Sequence, residues 1–256
     1  MESSKPSPEN PDLSAILKAW PFAAGQITAR WVKGDDGEDQ VQVRIDLGIL
    51  QMKATGRPDG DRPEGFASLL EYFESRIDEA ENEGKPAPKL SAEDCRALRD
   101  EAVQFYHRYV ALLSLEDFDG VVRDTSRNLR VLDMCREHAD LEQDRTVLEQ
   151  FRPYITMVRA RALASQALKD NEPKAAIHAI DEGLEALRQY FADSGQPQMF
   201  DQSNEVQMLR GMRDSLVPKL PLSEKAELKA RLARALEQEN YELAAILRDE
   251  LRQLKD

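Results

Sequence analysis

Apolar and polar residues follow two different rhythms along this chain, and each change of rhythm marks a new part. After Gly25 the period is two. Ile27, Ala29 and Trp31 alternate with polar neighbours, Gly34-Asp35-Asp36-Gly37 supplies a turn, and Val41, Val43, Ile45 and Leu47 alternate again. Alternation on both sides of a Gly/Asp turn predicts a β-hairpin, because successive strand side chains point to opposite faces. Residues 49–54 extend it, as a bent continuation or as a third strand past Gly48. The period then lengthens: Phe66, Leu69, Leu70, Phe73 and Ile77 share one side of a helix predicted over 63–83. A small sheet covered by one helix is the economical reading of 25–83. Upstream, the polar, proline-bearing stretch 1–11 reads as a disordered leader, and Asp12 opens a short helix that Pro21 stops. Trp20, Phe22, Trp31 and Tyr72 are assigned to the core, with Trp31 on the inward face of its strand.

Pro86 and Pro88 make 84–90 the expected domain boundary, closing a first domain over 12–84. Ser91-Ala92-Glu93-Asp94 reads as a capping box that opens a helical domain over 91–220, built of paired helices. Within it, Leu163-Ala164, Ala176-Ile177, Ile180 and Gly183-Leu184 fall at the small and apolar positions of a helix pair. This part resembles one tetratricopeptide-type repeat, without its signature aromatics, and Asp117-Phe118-Asp119-Gly120-Val121-Val122 is similar to its inter-helix turn.

The last stretch, 221–256, carries two further helical patterns. Leu228, Leu232, Ala235 and Leu236 form one stripe; Leu243, Ala244, Leu247, Leu251 and Leu254 form another. They meet at Glu239-Asn240-Tyr241-Glu242, which predicts an antiparallel helix hairpin. A unit of this size does not bury enough surface to stand alone. Another hairpin, a second copy, or the rest of the chain must cover its apolar face. The run Asn240-Tyr241-Glu242-Leu243-Ala244-Ala245-Ile246-Leu247-Arg248-Asp249-Glu250-Leu251, preceded by Leu228, Leu232 and Leu236, closely resembles the UVR motif. That motif is named for UvrB and UvrC of bacterial nucleotide excision repair, and it recurs in Clp-type ATPases and in an activator of protein arginine kinase. The resemblance implies a bacterial chain whose hairpin pairs with another hairpin of the type. Tyr241 then stands at the tip and Arg248-Asp249 is the family's charged pair.

Composition narrows the function classes. A net charge of −13 disfavours non-specific binding to nucleic acid, which depends on neutralising phosphates. No segment approaches the ~20 apolar residues of a membrane span, and 1–11 has no hydrophobic signal core. Two cysteines suggest reduced thiols, so the cytoplasm is the expected location. Catalytic signatures are missing: there is no phosphate loop, no G-x-S-x-G and no H-E-x-x-H. Cys135 and His138 lie one helical turn apart, but a closed metal site needs four ligands and no second pair appears. No metal, cofactor or catalytic residue is therefore expected. Arg57-Pro58-Asp59-Gly60 and Arg62-Pro63-Glu64-Gly65 read as turns, since Pro presets φ and Gly takes positive φ. A sharper reading joins Arg57 and Arg62 with Arg30, Lys33 or Arg44 in a site for an anion or an acidic partner.

These readings converge on a mainly α chain with a small N-terminal sheet, a central helical-hairpin domain and a C-terminal helix hairpin. The expected function is that of a non-catalytic adaptor. Leu232, Leu236, Tyr241, Leu247 and Leu251 form the partner surface, and Arg248 and Asp249 set its register. The family resemblance implies a partner in excision repair or in Clp-linked protein quality control. A DNA-binding accessory factor in repair is the rival, and the acidic balance weighs against it.

Overall fold

Gly37, at φ 78°, lets the chain reverse between two strands whose alternation then settles their register. β1 (Thr28–Lys33) pairs antiparallel with β2 (Asp39–Ile45), and β2 pairs antiparallel with β3 (Gly48–Lys53). A computed structural model describes residues 12–216 and 224–237, together with Arg248. The chain is mainly α with this small three-stranded antiparallel sheet at its N-terminal end. The extension past Gly48 is a third strand. Leu47 belongs to no strand; it sits at the tip of the β2–β3 turn and is 87 % exposed.

One sheet face carries Trp31, Val41 and Met52 in register, and Val41 and Met52 are buried. Trp31 shares that inward face but is 42 % exposed, and Phe22 is exposed as well, so neither belongs to the core as expected. Size adds to position: β1 and β3 are both edge strands, and the compact Met52 is covered on β3 while the wide Trp31 ring on β1 is covered only in part. The opposite face is polar. Arg30 Nε donates to Gln42 (2.8 Å), and Trp20 stacks on the Arg30 guanidinium at 4.1 Å. Arg44 is buried, donating through Nε to the Trp20 carbonyl (2.7 Å).

The helices follow in order: α1 (Ser14–Ala19), before the sheet, then α2 (Leu69–Asn82), α3 (Ala92–Ser114), α4 (Phe118–His138), α5 (Glu142–Thr146), α6 (Arg152–Lys169), α7 (Pro173–Asp193), α8 (Asn204–Leu216) and α9 (Glu224–Glu237). The helix expected from residue 63 starts later. Residues Pro63–Gly65 make a short 3-10 turn, Glu64 and Gly65 both have positive φ, and Ser68 caps α2 by accepting from the Glu71 amide. The capping box at Ser91 is present, with Asp94 Oδ2 accepting from the Ser91 amide at 2.9 Å. Asp117 likewise caps α4 through the Gly120 amide, 3.1 Å away, at the predicted inter-helix turn.

The boundary expected over 84–90 does not divide the fold. Leu70, Phe73 and Ile77 of α2 pack in one core with Leu98 of α3 and Val131 of α4. Leu90 is part of that core and pairs with Ala139: its amide donates to the His138 carbonyl and its carbonyl accepts from the Asp140 amide, each at 2.9 Å. Pro86 and Pro88 therefore punctuate an ordered connection. The chain divides instead into units Met1–Met212 and Arg213–Asp256. In the first, α3 pairs with α4, α4 with α6, and α6 with α7. The α6–α7 pair forms where the tetratricopeptide-like spacing predicted one, and Gly183 allows it: a Cβ there would stand 2.5 Å from that of Ala160.

Cys95 and Cys135 are buried and reduced, and their side chains meet in the core. Burial pushes both thiols up, that of Cys135 to about 12. Ellman's reagent should accordingly leave both unmodified in the native chain and label both in guanidinium. Rapid native labelling at pH 8 would mean that this core opens easily.

Candidate functional site

α3 sets two charges into its buried, mostly apolar face, beside Leu98, Phe105 and Leu112. At about 100° per residue, Glu101, Phe105 and Arg108 share one face, and Val103, Tyr106, His107 and Val110 lie on the other. The face that carries Glu101 and Arg108 is the buried one. Arg108 Nε and Nη2 bind both oxygens of Asp124 on α4, at 2.7 and 2.8 Å, and both side chains are inaccessible to solvent. Arg108 Nη1 donates to the carbonyls of Lys53 (2.9 Å) and Gly56 (2.7 Å), so the loop after β3 is tied to the helices. Glu101 accepts from the Leu69 amide at the start of α2 (2.8 Å) and pairs with Arg127 of α4. The Phe105 ring lies between the two guanidiniums, 4.7 Å from that of Arg108 and 4.1 Å from that of Arg127. Buried charges persist when each is paired and its remaining donors are used. Arg108 meets that condition, whereas Arg127 keeps a buried Nε without a partner, and the cluster holds loop, sheet and helices together.

The opposite face of α3 is open. Between α3, α4 and the start of α6 lies a cavity of about 560 Å³, floored by Leu132, Leu148 and Ile155 and walled by Tyr106, Tyr154 and Phe151. Tyr106 packs edge-on against Tyr109 (5.4 Å) and tilts toward Tyr154 (6.4 Å). Burial pushes the phenol of Tyr109 well above its ordinary value and raises that of Tyr154. Burial also lowers His107, which leaves its imidazole neutral at pH 7. A second cavity, of about 490 Å³, lies on the sheet side of the same helix. It shares Tyr106 and His107 and is bounded by Phe22, Val43 and Leu50. An aromatic rim over an aliphatic floor can hold an apolar group out of water, and this one is assembled from three separate helices.

The residues singled out from the sequence lie elsewhere. Arg57 and Arg62 do form the two predicted turns, with Gly60 donating to the Arg57 carbonyl and Gly65 to that of Arg62. They do not gather the other cations. Arg57 meets Asp59 (3.0 Å) and Glu101 (3.6 Å), and Arg62 donates to the Gly65 carbonyl (3.1 Å). Lys33 pairs with Asp39 (2.7 Å), while Arg30 and Arg44 serve the sheet. The Arg57 charge is therefore answered within the chain. Among the described residues, no three His, Cys, Asp or Glu side chains gather in a way that would hold a metal ion. No helix of the described residues is long and apolar enough to cross a membrane.

In the second unit, α9 covers the first of the two C-terminal patterns and Arg248 is helical. Leu232 is half-buried and Leu236 is 51 % exposed. Tyr241, Leu247, Asp249 and Leu251 lie outside the described residues, as does the leader over 1–11. Sequence reasoning missed both the buried ion cluster and the aromatic cavity. The signal available for the cavity was Tyr106-His107 on the apolar stripe of a long helix. No protein-family model, curated protein or solved structure matches this chain.

Proposed function

We propose that this protein is a bacterial, cytoplasmic, non-catalytic adaptor that engages another protein through its C-terminal hairpin, 221–256. The observation that carries this reading is Leu236. It lies on the apolar stripe of α9 yet is half exposed, although a leucine stripe on a helix is normally covered. The UVR-like run that follows supplies the chemistry of the partner: by resemblance, a helical hairpin with a matching apolar face, whose register Arg248 and Asp249 set. By that resemblance the partner belongs to nucleotide excision repair or to Clp-linked protein quality control.

The test is a lysate capture with the full chain as bait, followed by affinity measurement on the partner that mass spectrometry identifies. Leu236→Asp and Tyr241→Asp should each weaken binding by about thirty-fold or more, the loss expected for a desolvated anchor. Equal capture by wild type and both variants would reject the adaptor reading. A concentration-dependent dimer in sedimentation, lost in Leu236→Asp, would make a second copy of this chain the partner.

A further inference from the structure

A third cavity, of about 510 Å³, lies between α4, α6 and α7, and three arginines line it: Arg136, Arg152 and Arg159. On α6, Arg152, Thr156 and Arg159 share one helix face by their spacing. Two of the three arginines are neutralised within the chain. Arg152 meets Glu149 (2.6 Å) and Asp133 (2.9 Å), and Arg136 meets Asp133 (2.9 Å) and Glu137 (3.0 Å). Arg159 is different. Its Nε donates to the Ser126 hydroxyl at 2.9 Å, but among the described residues no carboxylate pairs with it. The chain has 48 acidic residues against 35 basic ones, so a half-buried arginine left without a carboxylate calls for an explanation. Asp193 lines the same cavity. It accepts from the Gln189 amide at 2.7 Å and, among the described residues, pairs with no cation.

The fold sets the spacing of these two unanswered charges. α6 and α7 run antiparallel about a three-residue turn, and Ala160 faces Gly183 where they touch. Counted from that contact at about 1.5 Å per residue, the backbones of Arg159 and Asp193 stand roughly 13 Å apart along the groove. Helical side chains lean toward the N-terminus of their own helix, which brings these two charges toward each other, to roughly 10 Å. An extended tripeptide spans about the same distance, at roughly 3.3–3.6 Å per residue. We propose that this groove binds a linear zwitterion the length of an unblocked tripeptide, its carboxylate on Arg159 and its ammonium on Asp193. The guanidinium fork suits a carboxylate, and the cavity volume falls within the range of small-molecule sites. Between the charges, Thr156 and Tyr190 supply hydroxyls for peptide groups, and Leu129 and Ala186 supply apolar contact. Every residue used lies in the first unit, so the inference is independent of the C-terminal hairpin.

The test titrates the full, isotope-labelled chain with trialanine, N-acetyl-trialanine and trialanine amide, followed by NMR. Trialanine should saturate one site per chain and shift amides of α6 and α7. Each blocked form should bind about fivefold more weakly, the worth of one partly exposed ion pair. Arg159→Gln, which keeps a donor for Ser126, should remove the penalty of amidation and leave that of acetylation. Asp193→Asn should do the reverse. Ala186→Trp, on an exposed position between the two charges, should abolish binding. Thermal melts verify that each variant is folded. A chain that melts cooperatively yet is not saturated by trialanine would overturn the site. Equal affinity for free and blocked peptides, or an amidation penalty that survives Arg159→Gln, would overturn the pairing of charges.

Discussion

Asp124→Ala is expected to destabilise the protein by about 3–5 kcal/mol, lowering its melting temperature by roughly 10 °C. Asp124 is inaccessible to solvent and takes both arms of Arg108. Its removal strands a guanidinium that cannot reach water and does not deprotonate at any ordinary pH. That penalty is a large part of the roughly 5–15 kcal/mol by which domains are stable. The double variant Arg108→Met/Asp124→Leu should recover much of the loss, since replacing both members of a buried pair by apolar residues of similar volume is often close to neutral. Recovery stays incomplete because the carbonyls of Lys53 and Gly56 then lose the donor that Arg108 gave them, at about 1 kcal/mol for a partly buried hydrogen bond. Arg108→Lys should not substitute, because an ammonium cannot grip both carboxylate oxygens and two carbonyls in one plane. Urea melts followed by circular dichroism decide the matter. A loss below about 1 kcal/mol for Asp124→Ala, with the slope unchanged, would show that water reaches the pair.

Gly183→Val carries the second large effect, about 2–3 kcal/mol of destabilisation from overpacking. A Cβ at this position would lie 2.5 Å from the Ala160 Cβ and 3.3 Å from Leu209 Cδ1, so α7 must move off α6 before any side chain fits. Gly183→Ala sets two terms against each other. Helix propensity favours Ala by about 1 kcal/mol, while the clash costs more. The combination Ala160→Gly/Gly183→Ala should therefore be more stable than the two single changes sum to, by about 1 kcal/mol or more. Simple additivity would mean that the two helices separate at no cost and that the close approach does not define the pair.

Legibility from sequence tracked how local the cause was. The Gly34–Gly37 turn and the cap at Ser91 follow from backbone rules that act over a few residues, and the helix pair around Gly183 was legible through its tetratricopeptide-like spacing. Those rules misled where a neighbour distant in sequence took over. Pro86 and Pro88 resemble a linker, but Leu90 is drawn into the core and pairs with Ala139. Trp31 was read on the correct face, yet its ring stays 42 % exposed there, because no local pattern says how far the rest of the fold covers that face. The Arg57 turn formed as read, while its charge found Glu101 on a helix far along the chain.

The sequence by itself determined the element types, most of the turns, the acidic surface and the apolar stripe of α9, because each depends on residue spacing or on simple counts. The stripe of Leu98, Ala102, Phe105, Tyr109 and Leu112 marks the inward face of α3, but tertiary structure alone decided that Glu101 and Arg108 could be buried on it. Two charges on an apolar stripe look out of place until Asp124 and Arg127 arrive from α4 to neutralise them. The opposing stripe of Val103 and Tyr106 looks like core until α4 and α6 leave a cavity in front of it. The physical reason is that burial of a charge depends on partners brought together by the fold, and no local pattern encodes that.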